Sequence, residues 1–401
     1  MKVMLINAIA GRGSTGRICG ELAEGILSSG NDVRFLYASG TASAAYAKKI
    51  SNGFFIKANA LLARLFGLNG YFCRYSTSKI IREVKTYKPD VIHLHNIHSH
   101  FLNLPRFLKF VQKNRIPLVI TLHDCWFFTG KCMHYTSAKC ENWKTICHDC
   151  PKLKQNIPSY FFDRTSKMFR EKLKGFKALD RFGAIGVSNW ITNEAKQSPV
   201  LQNATFTTIY NWIDTAQFHS MPAESFKESL GIPKDKKVIA CVSNDWIPGT
   251  ERYRDLLKLS SILPPEYVIL VGGKTKTGDV FSNNIRRLGY LSIQNLARLY
   301  SNADVYVHLS REDTFGKVIV EALACGTPVV TYDSTVYREI VKERFLGMCV
   351  ETGNLDKMAE AIRTVSETRP DRKKLTAYVE EHFSREKLIS DTIDFYQKIC
   401  R

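Results

Sequence analysis

The residues best suited to chemistry lie in SREDTFGKVIVEALACGTPVV, residues 310–330. Two carboxylates, Glu312 and Asp313, precede a turn of Thr314, Phe315 and Gly316, and Lys317 opens an apolar stretch of helical period that carries Glu321. The spacing D-x7-E joins Asp313 to Glu321, about two helical turns, while Glu312 stands one residue too far. A turn that opens a helix points backbone amides at an anion, and the helix dipole adds to the attraction. A diphosphate meets that requirement. The plain alternative is a pair of solvated carboxylates near a helix start.

A second candidate is Gly11, Gly13 and Gly16, in G-x-G-x-x-G spacing between a strand and a helix, with Ser14 or Thr15 available as a helix cap. Such a loop can hold phosphate on its amides, and Arg12 and Arg17 add positive charge. An NAD site also needs an acidic residue closing the second strand. DVRFLYASG closes on Ala38, Ser39 and Gly40 instead, which disfavours an NAD-dependent oxidoreductase. A third candidate is C-x7-C-x6-C-x2-C at Cys132, Cys140, Cys147 and Cys150. Those four thiols suit a tetrahedral structural zinc, against the reading of reduced, buried cysteines expected in a cytosolic chain. His93, His95, His98 and His100 read as strand-end and loop histidines rather than metal ligands.

These residues need a scaffold. A chain of 401 residues exceeds the roughly 250 to 300 that one core holds, so two domains are expected. The strands VMLINA, DVRFLYA, DVIHLHN, PLVITLHD and RFGAIGVSN alternate with helix-length segments, the pattern of a parallel sheet covered on both faces. After TFTTIYNWIDTAQFH a second series begins, in which KKVIACVSN, YVILVGG, DVYVHLS and TPVVTYD alternate with the helix-like YRDLLKLSSIL, IQNLARLYSNA and GKVIVEALACG. The expectation is an α/β protein of two Rossmann-like doubly wound domains, 1–205 with a Cys-rich insert at about 125–150, and 206–382. A helix at 383–401 is expected to pack back on the first domain. Open α/β sheets bind ligands at the carboxyl ends of their strands, so a central cleft facing both sets is the expected site.

The net charge is +19, and residues 1–205 hold 30 Lys and Arg against 12 Asp and Glu. That asymmetry suggests an anionic partner for the first domain: acidic lipid headgroups, a phosphorylated acceptor or nucleic acid. No zinc-finger, RRM or helix-turn-helix signature supports nucleic acid. The N-terminus lacks the features of a secretory signal, and no apolar run approaches the roughly 20 residues of a membrane span. A cytoplasmic protein, at most peripheral on the inner face of the membrane, is expected. Two stretches could meet lipid, 54–72 and 160–179. The second sets Phe161, Phe162, Met168, Phe169, Leu173 and Phe176 among Lys167, Arg170, Lys172, Lys174 and Lys177, which suits an interfacial helix or an ordinary surface helix with one buried stripe.

The 310–330 segment resembles the donor motif of the retaining glycosyltransferases of the GT-B fold, specifically family 4, in which an acidic residue, a Phe-Gly turn and a helical Glu are spaced E-x7-E. INAIAGRGSTGRI, DVIHLHNIH, TLHDCWFFTGKC and NWIDTAQF look like successive landmarks of its WcaC-like branch, transferases of exopolysaccharide and colanic-acid-type assembly. The resemblance implies a nucleotide-sugar co-substrate held by residues 206–382, and a polysaccharide or polyprenyl-linked acceptor on the side of residues 1–205. It also implies transfer with retention and no catalytic metal. It assigns Glu321 to the ribose hydroxyls, Asp313 to hydroxyls of the donor sugar and His123 to a place near the transferred sugar. Gly13, Gly16, Thr314, Phe315 and Gly316 would line the diphosphate, with Arg12 and Arg17 on the acceptor or anion side. The family's Lys-Gly is absent from VSNDWIPGTERYRDLL, which leaves Arg252, Arg254 or Lys317 to neutralise the diphosphate. The nearest enzymatic rival is a sugar-nucleotide epimerase of the same fold.

Overall fold

A computed structural model describes residues 1–275, 281–368 and 370–401. The chain folds as two units, Met1–Asn211 with Glu386–Arg401, and Trp212–Arg385. The first is built on strands β1 (Lys2–Ala10), β2 (Asp32–Gly40), β3 (Ala47–Lys49), β4 (Val91–Leu94), β5 (Leu118–Leu122), β6 (Phe182–Gly186) and β7 (Thr205–Thr208). Their order is β3-β2-β1-β4-β5-β6-β7, parallel throughout. VIHL, LVITL and FGAIG are buried along their whole length, as strands covered on both faces must be. The order reverses between β1 and β4, so the chain after β1 and the histidines after β4 share the switch-point end of the sheet, where such folds bind ligands.

The turn after β1 requires its glycine. Gly11 has φ of 69°, and a Cβ there would lie 2.2 Å from the Thr41 carbonyl oxygen. The helix Gly13–Ser28 then starts directly, with Arg12 extended and no side-chain cap. Ser14 and Thr15 therefore lie inside the first turn and do not cap it as the sequence suggested. The last helix, Arg385–Cys400, turns Phe395 and Tyr396 inward. A Cβ on Gly183 of β6 would stand 2.7 Å from the Phe395 ring, so the absence of a side chain there lets the helix lie close on the sheet.

The stretch 160–179 differs from the interfacial helix considered above. Its helical part is Thr165–Lys177, and Met168, Phe169 and Phe176 are buried in the unit's own core, so that stripe has no apolar face left for lipid. Lys172 is also turned inward, donating to the carbonyls of Trp126 and Thr129, the latter at 2.9 Å, with its ammonium 3.6 Å from the Trp126 ring centre. Burial pushes its pKa down to about 7.

The second unit contains β8 (Lys237–Trp246), β9 (Tyr267–Thr275), β10 (Ile285–Gly289), β11 (Val305–His308), β12 (Val329–Tyr332) and β13 (Gly347–Val350). These run parallel in the order β10-β9-β8-β11-β12-β13. Its switch point falls between β8 and β11. Ile239, Val271, Val307 and Val330 from the sheet pack with Met358 and Ile362 of the helix Leu355–Thr368.

Candidate active site

In the second unit β11 ends at His308, and the chain crosses Glu312 to Gly316 before the helix Lys317–Ala324. Asp313 is fixed in place there. Its Oδ2 lies 3.0 Å from His308 Nε2 and accepts a hydrogen bond of 2.9 Å from the Tyr337 hydroxyl. His308 is in turn 3.0 Å, through Nδ1, from the Tyr306 hydroxyl. The Asp313 side chain keeps 36% of its surface open, so a ligand can reach it while Oδ2 is tied to protein. Glu312 is half-buried next to it and offers its carbonyl to Ser310.

The helix that follows begins without a side-chain cap, at Gly316 with φ of 72°. A Cβ on Gly316 would crowd Ile319 and Tyr337 at 3.3 Å in a conformation that L side chains rarely adopt. The bare helix start and its dipole suit an anion. Thr314 and Phe315 are buried, with the Phe315 ring 5.8 Å from Phe383, and Lys317 is half-buried at the first helical position. Glu321 is 3% exposed. Its charge adds to the burial that raises the phenol pKa values of Tyr300 and Tyr306.

The cationic candidates separate. Arg252, on the helix Glu251–Ile262, is half-buried and donates to the Ser243 hydroxyl beyond the middle of β8, beside the switch point. Arg254 is exposed and bonds the Gly249 carbonyl at 2.8 Å. Arg311 is committed elsewhere: it forks onto Asp255 at 2.9 and 3.1 Å and reaches Glu251 at 2.9 Å.

In the first unit Gly11, Arg12 and Gly13 are exposed, Gly16 is buried and Arg17 is half-buried. The histidines lie together at the carboxyl ends of β4 and β5. His95 Nδ1 is 3.0 Å from His123 Nε2, and His93 bridges the Thr121 hydroxyl at 2.7 Å and the Tyr396 hydroxyl at 2.6 Å. His98 pairs with Asp124 at 2.9 Å. Burial is the main reason that the pKa values of His93 and His95 fall well below the usual imidazole value and those of His100 and His123 fall to about 4. His123 is thus a neutral imidazole at physiological pH. His95 Nε2 is buried without a hydrogen-bond partner among the described residues.

Cys132, Cys140, Cys147 and Cys150 line one pocket with Trp143 and Tyr135. The Gly130 N–H donates to Cys147 Sγ at 3.1 Å. Contact with Cys132 is the main cause that lowers the Cys150 pKa to about 7. The donor set suits zinc, yet among the described residues no three His, Cys, Asp or Glu side chains stand close enough together to hold a metal ion.

The structure thus gathers Asp313, Gly316, Lys317 and Glu321 on one loop and helix, with Arg252 against Ser243 of β8 in the same unit, and His123 among the histidines of the other unit. The partners of Asp313 escaped the sequence reading. His308 was visible as a polar residue closing a buried strand, but Tyr337 lies 24 residues beyond Asp313, with no local pattern to mark it.

Comparison with known proteins places this geometry. Residues 15–217 match the family model Glycosyltransferase Family 4, and residues 223–382 match Glycosyl transferases group 1. The chain belongs to glycosyltransferase family 4. It is 28% identical over 298 residues, 71% of this chain and 70% of the other, to a protein of Escherichia coli (strain K12) named as the colanic acid biosynthesis glycosyl transferase WcaC. A sucrose-phosphate synthase from Thermosynechococcus elongatus superposes with a TM-score of 0.68 at 14% identity, covering 99% of this chain and 98% of that one. Anabaena Alr3699/HepE, solved in complex with UDP, gives 0.67 at 18% over 99% and 100%. Both likenesses establish the GT-B fold. As a family 4 member the chain is a glycosyltransferase, which disfavours the oxidoreductase and epimerase readings. Among the described residues no helix is long and apolar enough to cross a membrane.

Proposed function

We propose that this family 4 chain is a retaining transferase that moves a hexosyl-type sugar from a nucleotide-diphosphate donor to a polysaccharide or lipid-linked acceptor in cell-surface polysaccharide biosynthesis. The observation that carries the reading is the anchored Asp313 carboxylate immediately ahead of an uncapped helix start. Similarity to WcaC and to structures holding UDP supports it.

In this reading the amides from Thr314 to Lys317 receive the diphosphate. Arg252, with Lys317, neutralises the charge that grows there as the glycosidic bond breaks, and electrostatic stabilisation of this kind usually contributes most to the rate. Glu321 accepts from the ribose and Asp313 from the sugar hydroxyls. His123, kept neutral by burial, offers a polar edge to the sugar without adding a competing cation. The anomeric carbon exchanges its bond to the diphosphate oxygen for one to the acceptor oxygen on the same face, and the acceptor proton passes to the departing diphosphate. Arg12, Arg17, Gly13 and Gly16 supply the anion-binding loop of the first unit.

A thermal-shift panel of UDP-, GDP- and ADP-sugars followed by donor hydrolysis tests this. A donor at about a hundred times its Kd stabilises by roughly 2.7 kcal/mol, and the anomeric configuration of the product tests retention by NMR. A panel with no shift and no hydrolysis would overturn the proposal.

A further inference from the structure

The helix Gly53–Phe66 has the composition of a core helix in the surroundings of a surface one. GFFIKANALLARLF is rich in Phe, Leu and Ala, yet Ala63 is its only buried residue. Phe54 is 75% exposed, and Phe55, Leu61 and Phe66 are exposed with it. A soluble helix normally turns such a stripe into its own core.

The patch extends beyond the helix. The Tyr160 N–H donates to the Arg64 carbonyl at 2.8 Å, and the Phe162 carbonyl packs against Gly67, so the loop carrying Tyr160, Phe161 and Phe162 is docked on the helix's carboxyl end. All three rings are exposed, Phe161 by 70%. At the other end Phe55 stacks on the exposed Tyr75 at 4.9 Å. Contiguous apolar surface of this kind marks a face that something else covers.

Charge decides what covers it. Lys57 and Arg64 project from the helix into solvent, and the Arg164 guanidinium lies over the Phe162 ring. No acidic residue occurs between Asp32 and Glu83, and Asp163, beside the loop, already accepts from the Cys150 and Thr165 N–H groups. A second copy of the chain, related by a two-fold axis, would bring the same patch against itself and press like charges together. A bilayer interface with anionic headgroups offers the complement: an apolar layer for rings and phosphates for the cations.

We propose that the helix Gly53–Phe66 and the loop Tyr160–Phe162 dock this chain on an anionic phospholipid surface, with Phe54 and Phe161 entering the headgroup layer and Lys57, Arg64 and Arg164 meeting lipid phosphate. This replaces the helix Thr165–Lys177 as the lipid-facing element. It stands apart from the transferase reading.

The test is flotation with vesicles of phosphatidylcholine alone and of phosphatidylcholine with phosphatidylglycerol. The chain floats with the mixed vesicles and less so as salt rises. Phe54→Ser with Phe161→Ser lowers partitioning roughly tenfold or more, Lys57→Glu with Arg64→Glu does likewise, and Lys258→Glu in the second unit leaves it unchanged. Circular dichroism confirms that the variants fold, which is expected because the replaced side chains are exposed. Absence of flotation, equal flotation with neutral vesicles, wild-type partitioning of the Phe54/Phe161 variant, or a dimer in sedimentation that this variant dissociates would each overturn the proposal. Donor hydrolysis without vesicles reports on the transferase reading alone and is unchanged in these variants.

Discussion

Acidification from pH 7 to pH 5 should loosen the first unit through its half-buried imidazoles His100 and His123. His123 and His100 have pKa values pushed down to about 4, mainly by burial. In the unfolded chain each returns to about 6.5 and takes up a proton that the folded site refuses. The stabilising difference is complete above about pH 6.5 and is lost as pH falls toward 4, because over that range the unfolded state binds more protons. For one group shifted by about 2.5 units the full loss is roughly 3 kcal/mol, of which about 2 kcal/mol is reached by pH 5. Two such groups consume a large share of a typical stability of about 5 to 15 kcal/mol. Hydrogen exchange of the β4 and β5 amides at both pH values reads this opening directly. His123→Gln and His100→Gln keep a polar side chain that cannot be protonated, so each variant should lose about 2 kcal/mol less than the wild type over the same interval. Variants with the wild-type pH slope would refute the assignment of that slope to these imidazoles.

Glu321→Ala should weaken donor binding about ten- to a hundredfold, the cost of deleting one partner of a buried charged hydrogen bond; titration calorimetry with the donor nucleotide measures it, and wild-type affinity in a folded protein would remove Glu321 from the site. Asp313→Asn should depress kcat more than Glu312→Gln, because Asp313 is the acid in D-x7-E register with Glu321 and is placed by His308 and Tyr337; equal losses would mean that neither carboxylate is set apart. Arg252→Met should slow turnover well beyond Arg254→Met in steady-state kinetics, since Arg252 is half-buried against Ser243 of β8 whereas Arg254 is exposed on the Gly249 carbonyl. For the cysteine pocket we propose that binding draws the four thiols onto zinc, as thiolate sites gain folding energy from their metal; metal analysis should give about one zinc per chain, and Cys147→Ser should lose both zinc and melting temperature.

The two parallel sheets were legible because their central strands are covered on both faces, and that burial writes itself as unbroken runs such as LVITL and VYVH. The edge strands were not. β3 is AKK, β7 is TFTT, β10 is IRRLG and β13 is GMCV, and a strand with one neighbour can be short and polar. The glycine loop was legible as spacing, but its capping was not, since the helix begins at Gly13 itself. The apolar helices show the opposite failure. Aromatic and aliphatic residues with interspersed cations mark both Gly53–Phe66 and Thr165–Lys177, and only packing shows that the second buries its stripe while the first does not.

The acidic pair shows where spacing stops and structure decides. Sequence offers Glu312 and Asp313 as neighbours with one in register, and register alone makes the other a near miss. The physical distinction comes from β11 and from the helix Tyr337–Ile340: His308 closes a fully buried strand, and Tyr337 reaches back to the same carboxylate oxygen. A carboxylate held by two partners meets a ligand with less orientation left to lose, which is the form that preorganised sites take. Glu312 has a carbonyl engaged by Ser310, which fixes the backbone of the turn. The placing of Asp313 thus depends on a hydrogen bond spanning 24 residues, a distance over which no local pattern speaks.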